Sequence, residues 1–310
     1  GKRLDYDYLI IACGLSAKWD SIKGLYGKLG RDGIASVFSY ENLPWSRSLL
    51  SETIAKRTIF AHPENNKHFI TTSLETAFLY AHRKQKAHNQ DDYEIKFNVG
   101  SSDLFFNSYH SEVLEKHLAR KRIRISYGNS LMEVRPKTKE AVFYNCNNNS
   151  ETVIPFDLLH VAPSMIPPVA IKQSTLSDID GLVDVNNSTL QTKKWHNIFA
   201  LGDISNATEI KNISSVIEQT PVVFSNLTAL MDGRCASAKY TGLNHCFLTL
   251  EPAKSINLKT VFSKEKKSYF FSLMTKKEEP SHYLYFYRLL IEKLRFFNLV
   301  FNGRLIYPFR

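Results

Sequence analysis

Cysteine is scarce: Cys13, Cys146, Cys235 and Cys246 are the only four in 310 residues. So few, so scattered, exclude a disulfide framework, and a thiol that matters here is either redox-active or simply buried. No uninterrupted apolar run approaches the roughly 20 residues of a membrane-spanning helix. The phosphate-cradling pattern G-x-G-x-x-G is missing as well. Gly24, Gly27, Gly30 and Gly33 recur at every third position and read as a loop. The chain opens on Gly1 without an initiating Met, signal peptide or transit segment, which reads as a fragment or a processed piece. No metal site is assigned. Negative charge is sparse at the C-terminal end, where residues 251–310 hold 12 Lys and Arg against 5 Glu, +7 of the net +10. A basic, aromatic-rich end of this kind suits nucleic acid or an anionic membrane surface.

The apolar content of 43% with 23% charged residues describes a folded chain, and its length allows two domains or one large one. Residues 6–14, YDYLIIACG, form a continuous apolar run ending in a glycine turn, the mark of a buried strand. Strands are expected over Ile54–His62, Glu94–Val99, Ile123–Tyr127 and Thr152–Ala162, with a hairpin over Leu131–Pro136 and Ala141–Tyr144. Leu74, Ala77, Phe78 and Ala81 recur at helical spacing and predict a helix over Ser73–Lys86, and a second is expected over Glu112–Lys121. Strand–helix alternation implies an α/β chain with a parallel sheet at its core.

The richest stretch is NIFALGDISNATEIKNISSVIEQ, Asn197–Gln219. A short buried strand, Ile198–Leu201, runs into a Gly202-Asp203 turn, a polar loop and a helix. In nucleotide-binding α/β folds a ligand meets the chain where a strand ends and a helix N-terminus points back. Gly-Asp after an apolar run is also an ordinary turn.

Four segments, YDYLIIACG, FDLLHVAPSMIPP, HNIFALGDISNATEIKNISSVIEQ and YTGLNHCFLTL, follow one another in this order. Together they resemble the flavin-dependent disulfide-reductase superfamily, most closely the mitochondrial type of sulfide:quinone oxidoreductase, over nearly the whole chain. That resemblance implies an α/β fold of two Rossmann-like FAD/NAD(P)-binding domains, the first incomplete, with a C-terminal amphipathic membrane-associated region. It places the end of the first FAD-domain segment in residues 1–30, a second Rossmann-like domain in 31–160, the second FAD-domain segment in 161–250 and the membrane-associated region in 251–310. It implies FAD as cofactor and hydrogen sulfide, a ubiquinone-type quinone and a small sulfur acceptor as partners. Sulfide would attack a cysteine disulfide, leaving a persulfide, while two electrons pass through FAD to the quinone. Gly202 and Asp203 match the turn that bonds the ribityl chain, Lys211 and Gln219 the helix covering the isoalloxazine ring, and Cys246 the second of two redox cysteines. The implied location is peripheral, on the matrix face of the mitochondrial inner membrane.

The chain departs from that pattern in three places. The first redox cysteine belongs in Pro63–Leu74, which reads PENNKHFITTSL. The phosphate-binding βαβ unit that precedes the first strand is not in the sequence. Pro221 falls inside the expected helix, where it would kink or shorten it. The departures leave a second reading open, a membrane-associated relative with impaired catalysis. An NADH:quinone flavin enzyme ranks last, because HPENNKHF after the Ile54–His62 strand carries no glycine. Over residues 281–310, Arg288, Glu292, Arg295, Asn298 and Asn302 cluster on one side of a helical wheel. Leu289, Leu290, Leu294, Phe296, Phe297, Leu299, Val300 and Phe301 fill most of the rest, a pattern suited to a helix lying in a membrane interface. Nucleic acid is disfavoured, since the aromatics are too contiguous for a base-stacking platform.

Overall fold

The computed structural model describes residues 3–52, 55–87, 92–105, 108–260, 279–294 and 297–298. Two compact units divide the chain: a first made of 1–16, 166–247 and 253–310, and a second made of 17–165 and 248–252. The chain thus passes from the first unit to the second after residues 16 and 247, and back after residues 165 and 252.

The second unit is built on a five-stranded sheet in the order Ile34–Ala35, Leu158–Val161, Arg57–His62, Glu94–Val99, Ile123–Ser126. Every pairing in it is parallel. Parallel strands need long crossovers, and helices Ile70–Ala87 and Ser108–Arg120 supply two of them. The central strand Arg57–His62 buries five of its six residues, as a strand covered on both faces must. Helix Ile70–Ala87 turns Leu74, Ala77, Phe78 and Ala81 inward as their spacing predicts, and starts three residues before the expected Ser73. A three-stranded antiparallel sheet, Asn129–Arg135, Glu140–Asn145 and Ser150–Pro155, packs its inner face with Val134, Ala141 and Phe143 into one core with Ile59 and Leu159.

The expected single strand Thr152–Ala162 is two strands in two different sheets, Ser150–Pro155 and Leu158–Val161. The break coincides with a tertiary anchor. Asp157 accepts hydrogen bonds from the Arg57 amide (2.8 Å) and guanidinium (2.9 Å), which anchors the second strand to its parallel neighbour. The glycine series is structural. At Gly24 and Gly33, with φ of +78° at both, a Cβ would stand 2.1 Å from the Val134 carbonyl oxygen and 2.3 Å from that of Asp157. Only glycine permits such an approach.

In the first unit Leu9–Ile11 pairs in parallel with Ile198–Ala200. Their side chains join Val183, Val185, Leu190, Ile204 and Val223 in a separate core. The helix Ile213–Met231 runs on for 19 residues with Pro221 inside it, so the proline does not shorten it as expected from sequence. Strand Asn244–Glu251, whose residues 248–251 are counted with the second unit, forms a two-stranded sheet with Lys254–Thr260, and helix His282–Tyr287 continues through a π-helical turn at Arg288–Glu292. Among the described residues no helix is long and apolar enough to cross a membrane. Arg295, Phe296, Leu299, Val300, Phe301 and Asn302 lie outside the described residues.

Candidate functional site

The Gly202-Asp203 turn follows directly from the end of strand Ile198–Ala200, as a single 3-10 turn over Gly202–Ile204. Gly202 sits at φ +74°, a left-handed backbone that favours glycine. Its amide donates to Gln219 Oε1 at 2.7 Å, and its carbonyl accepts from the Ser205 hydroxyl at 3.0 Å. Gln219 lies six residues into the long helix and is fully buried. Its carbonyl oxygen therefore holds the turn in place, a positioning contact that the sequence reading did not anticipate.

Lys211 is buried beside this turn, and its Nζ donates to the Ser205 carbonyl. Burial pulls its pKa down to about 8, against the opposing pull of the Asp203 and Asp178 carboxylates. Burial raises the Asp203 pKa, with Lys211 opposing. Each charge thus opposes the effect of burial on the other beside the turn. Asp178 also accepts from Asn206 Nδ2 at 3.1 Å, which fixes the loop between turn and helix.

The helix begins at Asn212, whose side chain accepts from the Ser215 amide at 3.0 Å, an N-cap that satisfies one of the free first-turn donors. That helix end is tied to the start of strand Asn244–Glu251. Asn212 Nδ2 donates to the His245 carbonyl (3.4 Å), the His245 amide to Ser214 Oγ (3.2 Å), and Asn244 Nδ2 to the Ile210 carbonyl (3.0 Å). The ties hold Cys246, which is buried, on a strand fixed to the Lys211 loop. Successive strand residues face opposite ways, so Cys246 shares a face with Asn244, and His245 turns to the other side. The His245 ring there lies parallel to Phe247 (5.8 Å, 10°), and Asn257 Nδ2 is 3.0 Å from His245 Nδ1. Strand alternation thus sets the His245 ring and the Cys246 thiol on opposite faces of the strand.

Gly202, Asp203, Lys211 and Gln219 come together around one turn, and Cys246 is joined to them through the strand–helix ties. Of the four cysteines Cys246 is buried, and Cys13, Cys146 and Cys235 are exposed. Asn244 is a candidate site residue without a marker in the catalytic motifs: it is fully buried, and among the described residues its Oδ1 has no hydrogen-bond partner. A buried, orphaned acceptor is costly unless a ligand or water meets it. The one sequence signal for it is its position two residues before Cys246, where strand alternation returns to the same face. The Pro63–Leu74 segment forms 3-10 turns over Glu64–Phe69 and then opens the helix Ile70–Ala87.

No family model matches the chain. Among curated proteins it is 30% identical over 298 residues to the mitochondrial sulfide:quinone oxidoreductase of Dictyostelium discoideum, covering 91% of this chain and 65% of that protein. It is 29% identical over 247 residues to the mouse mitochondrial sulfide:quinone oxidoreductase, covering 79% and 55%. The chain thus spans about three-fifths of the length of the curated relatives it matches, 65%, 60% and 55% of the first three. Among solved structures, a chain in the Tetrahymena thermophila mitochondrial ATP synthase matches with TM-score 0.80 at 19% identity, over 97% of this chain and 74% of that one. The sulfide:quinone oxidoreductase of Aquifex aeolicus matches with TM-score 0.74 at 14% identity, over 98% and 71%. At such identities the structural matches establish a shared α/β fold.

Proposed function

We propose that the chain, 30% identical to the mitochondrial sulfide:quinone oxidoreductase of Dictyostelium discoideum, is a member of that family and works as an FAD-dependent oxidoreductase that oxidises hydrogen sulfide and delivers the electrons to a quinone. The observation that carries this reading is the Gly202–Lys211–Asn244 arrangement. A buried ammonium, an orphaned buried acceptor and a capped helix N-terminus converge within one stretch of structure. The pyrimidine edge of an isoalloxazine presents an N–H between two carbonyls, a pattern whose donor suits Asn244 Oδ1 and whose oxygens suit Lys211 and the helix N-terminus. The residues present thus fit the group, with Asp203 as acceptor for hydroxyls of the ribityl chain. FAD, when bound, supplies two-electron transfer.

The protein's own contribution is positioning and charge. Lys211 places a fixed positive charge where negative charge would build up, in surroundings whose low polarity strengthens it. Gln219 keeps the turn rigid by holding the Gly202 amide, so Asp203 meets its ligand without reorganisation. Cys246 is the thiol assigned to sulfur chemistry, held on a strand that the helix N-terminus pins. Peripheral membrane attachment through residues 281–310 is part of the proposal. Phe286, Leu290, Leu294 and Phe297 are each more than two-fifths exposed there, the apolar display of an interfacial helix. The relatives' names support a mitochondrial location, and the matrix face of the inner membrane is our further proposal beyond those names.

A second reading rests on one observation: PENNKHFITTSL, where the family places its other redox cysteine, contains none. Under it the protein binds flavin but turns over sulfide poorly. Anaerobic titration of the flavin-loaded protein decides between them. If sulfide bleaches the flavin band and a soluble quinone restores it, and Cys246→Ser abolishes the bleaching while Cys235→Ser does not, the oxidoreductase reading stands. A flavin band that sulfide leaves untouched favours the impaired relative, and a colourless protein after flavin reconstitution removes both.

A further inference from the structure

Ligands of open α/β sheets sit beyond the C-terminal ends of the strands. The second unit carries a cavity of about 490 Å³ at the opposite end, lined by Lys56, Asp92, Tyr93, Glu94, Ile95, Arg122 and Arg124. Three neighbouring strands, Arg57–His62, Glu94–Val99 and Ile123–Ser126, begin here. Lys56 immediately precedes the first and Arg122 the third. Arg124 is paired with Glu94 at 2.7 Å, and Glu94 also takes Lys96 at 3.3 Å. Among the described residues neither Lys56 nor Arg122 has an ion-pair partner, and Asp92 is the remaining carboxylate on the wall.

Behind the wall lies a third cation. Lys84, on helix Ile70–Ala87, is 5% exposed, with its Nζ 5.2 Å from the centre of the Tyr93 ring. Among the described residues no carboxylate reaches it at ion-pair distance, and Asp157, whose charge it feels, is bonded to Arg57. Among the described residues the buried Tyr93 hydroxyl has no hydrogen-bond partner, and the Arg122 charge acts on it. An unmet buried hydroxyl raises the energy of the fold, and Tyr93 belongs to the cavity wall, where an anion would bring acceptor oxygens to it and negative charge toward the Lys84 ammonium behind its ring. The C-terminal ends of helices Ile70–Ala87 and Ser108–Arg120 attract a cation at this edge. That accounts for Arg122, but not for the cavity or the unmet Tyr93 hydroxyl.

We propose that this cavity is an oxyanion site, taking a phosphoryl or sulfuryl group between Lys56 and Arg122 with the Tyr93 hydroxyl as a neutral donor. The group could arrive as a free ion or as the phosphate of a mononucleotide, whose size the cavity suits. Isothermal titration of the full chain with inorganic phosphate, and separately with AMP, tests it at matched ionic strength against chloride. Saturable phosphate binding is expected, weakened about tenfold or more in Lys56→Ala/Arg122→Ala, since charge-assisted bonds dominate such sites. Tyr93→Phe, with unchanged circular dichroism, is expected to weaken it several-fold. AMP binding at least about tenfold tighter than phosphate identifies a nucleotide source, and equal affinity a free ion. The proposal is overturned if no saturable binding occurs up to about 10 mM phosphate, or if the double variant binds as the parent does.

Discussion

At Lys211 the cost of burial has a pH signature. The ammonium titrates near pH 8 in the folded protein and near its ordinary 10.5 when unfolded. Between those values the unfolded chain holds the extra proton, so stability rises with pH across that window. The gain from pH 8 to 10.5 amounts to about 2–3 kcal/mol. Lys211→Met should lack it, so the stability difference between parent and variant, measured by urea unfolding, should shift by that amount in the parent's favour. A difference that stays flat over the window would mean that the ammonium is not desolvated. Lysine at this position was readable from the sequence, through its place before a helix. Its burial was not, because EIKNIS reads as polar loop, and only the fold brings Asp178 and Ser205 around it. The same holds for Gln219. Its helical position was legible, but its bond to Gly202 joins residues 17 apart and belongs to tertiary packing.

Turns and strands separate what local pattern specifies from what it leaves open. Helix Ile70–Ala87 was legible because four apolar residues repeat at helical spacing. The division of Thr152–Ala162 between two sheets was not, because an apolar run looks the same wherever its halves pair. Its real marker is Asp157, whose partner Arg57 lies 100 residues away. The glycines make a sharper comparison. Gly33 and Gly202 share a left-handed backbone, with φ of +78° and +74°. An added Cβ at Gly33 would collide with the Asp157 carbonyl at 2.3 Å, whereas at Gly202 it would meet only Val216 Cγ2 at 3.6 Å. Gly202→Ala is therefore expected to cost about 1–2 kcal/mol, the backbone penalty alone. Gly33→Ala should exceed roughly 3 kcal/mol, because backbone must move as well. Denaturant unfolding of both variants checks this, and equal losses would contradict it.

Across the whole chain, separate cores follow from the way the sequence returns on itself, with residues 9–11 pairing with 198–200 across an intervening unit. Strand alternation made an α/β fold readable, but a pairing at that separation has no local signal. The two units also differ in where burial has placed their titrating groups. His160 in the second unit is wholly buried, its Nε2 accepting from the Val37 amide at 3.3 Å and its ring 5.3 Å from Phe60. Burial first, then the charge of His62, pushes its pKa down to about 3. Burial lowers His110 in the same unit. On acidification below 6.5 the unfolded chain takes up protons that these folded imidazoles refuse, so stability falls. For His160 alone the loss by pH 5 is about 2 kcal/mol. In the first unit the raised Asp203 has the opposite sign: its folded form binds a proton more readily than the unfolded chain, so acidification favours folding there. Hydrogen exchange at pH 6.8 and pH 5, corrected for intrinsic rates, should therefore show protection falling in Arg57–His62, Glu94–Val99 and Leu158–Val161. Ile198–Ala200 and Ile213–Met231 should hold theirs. His160→Leu should flatten the response of the three parallel strands, and a uniform loss across both sets would show that the buried imidazole does not govern it.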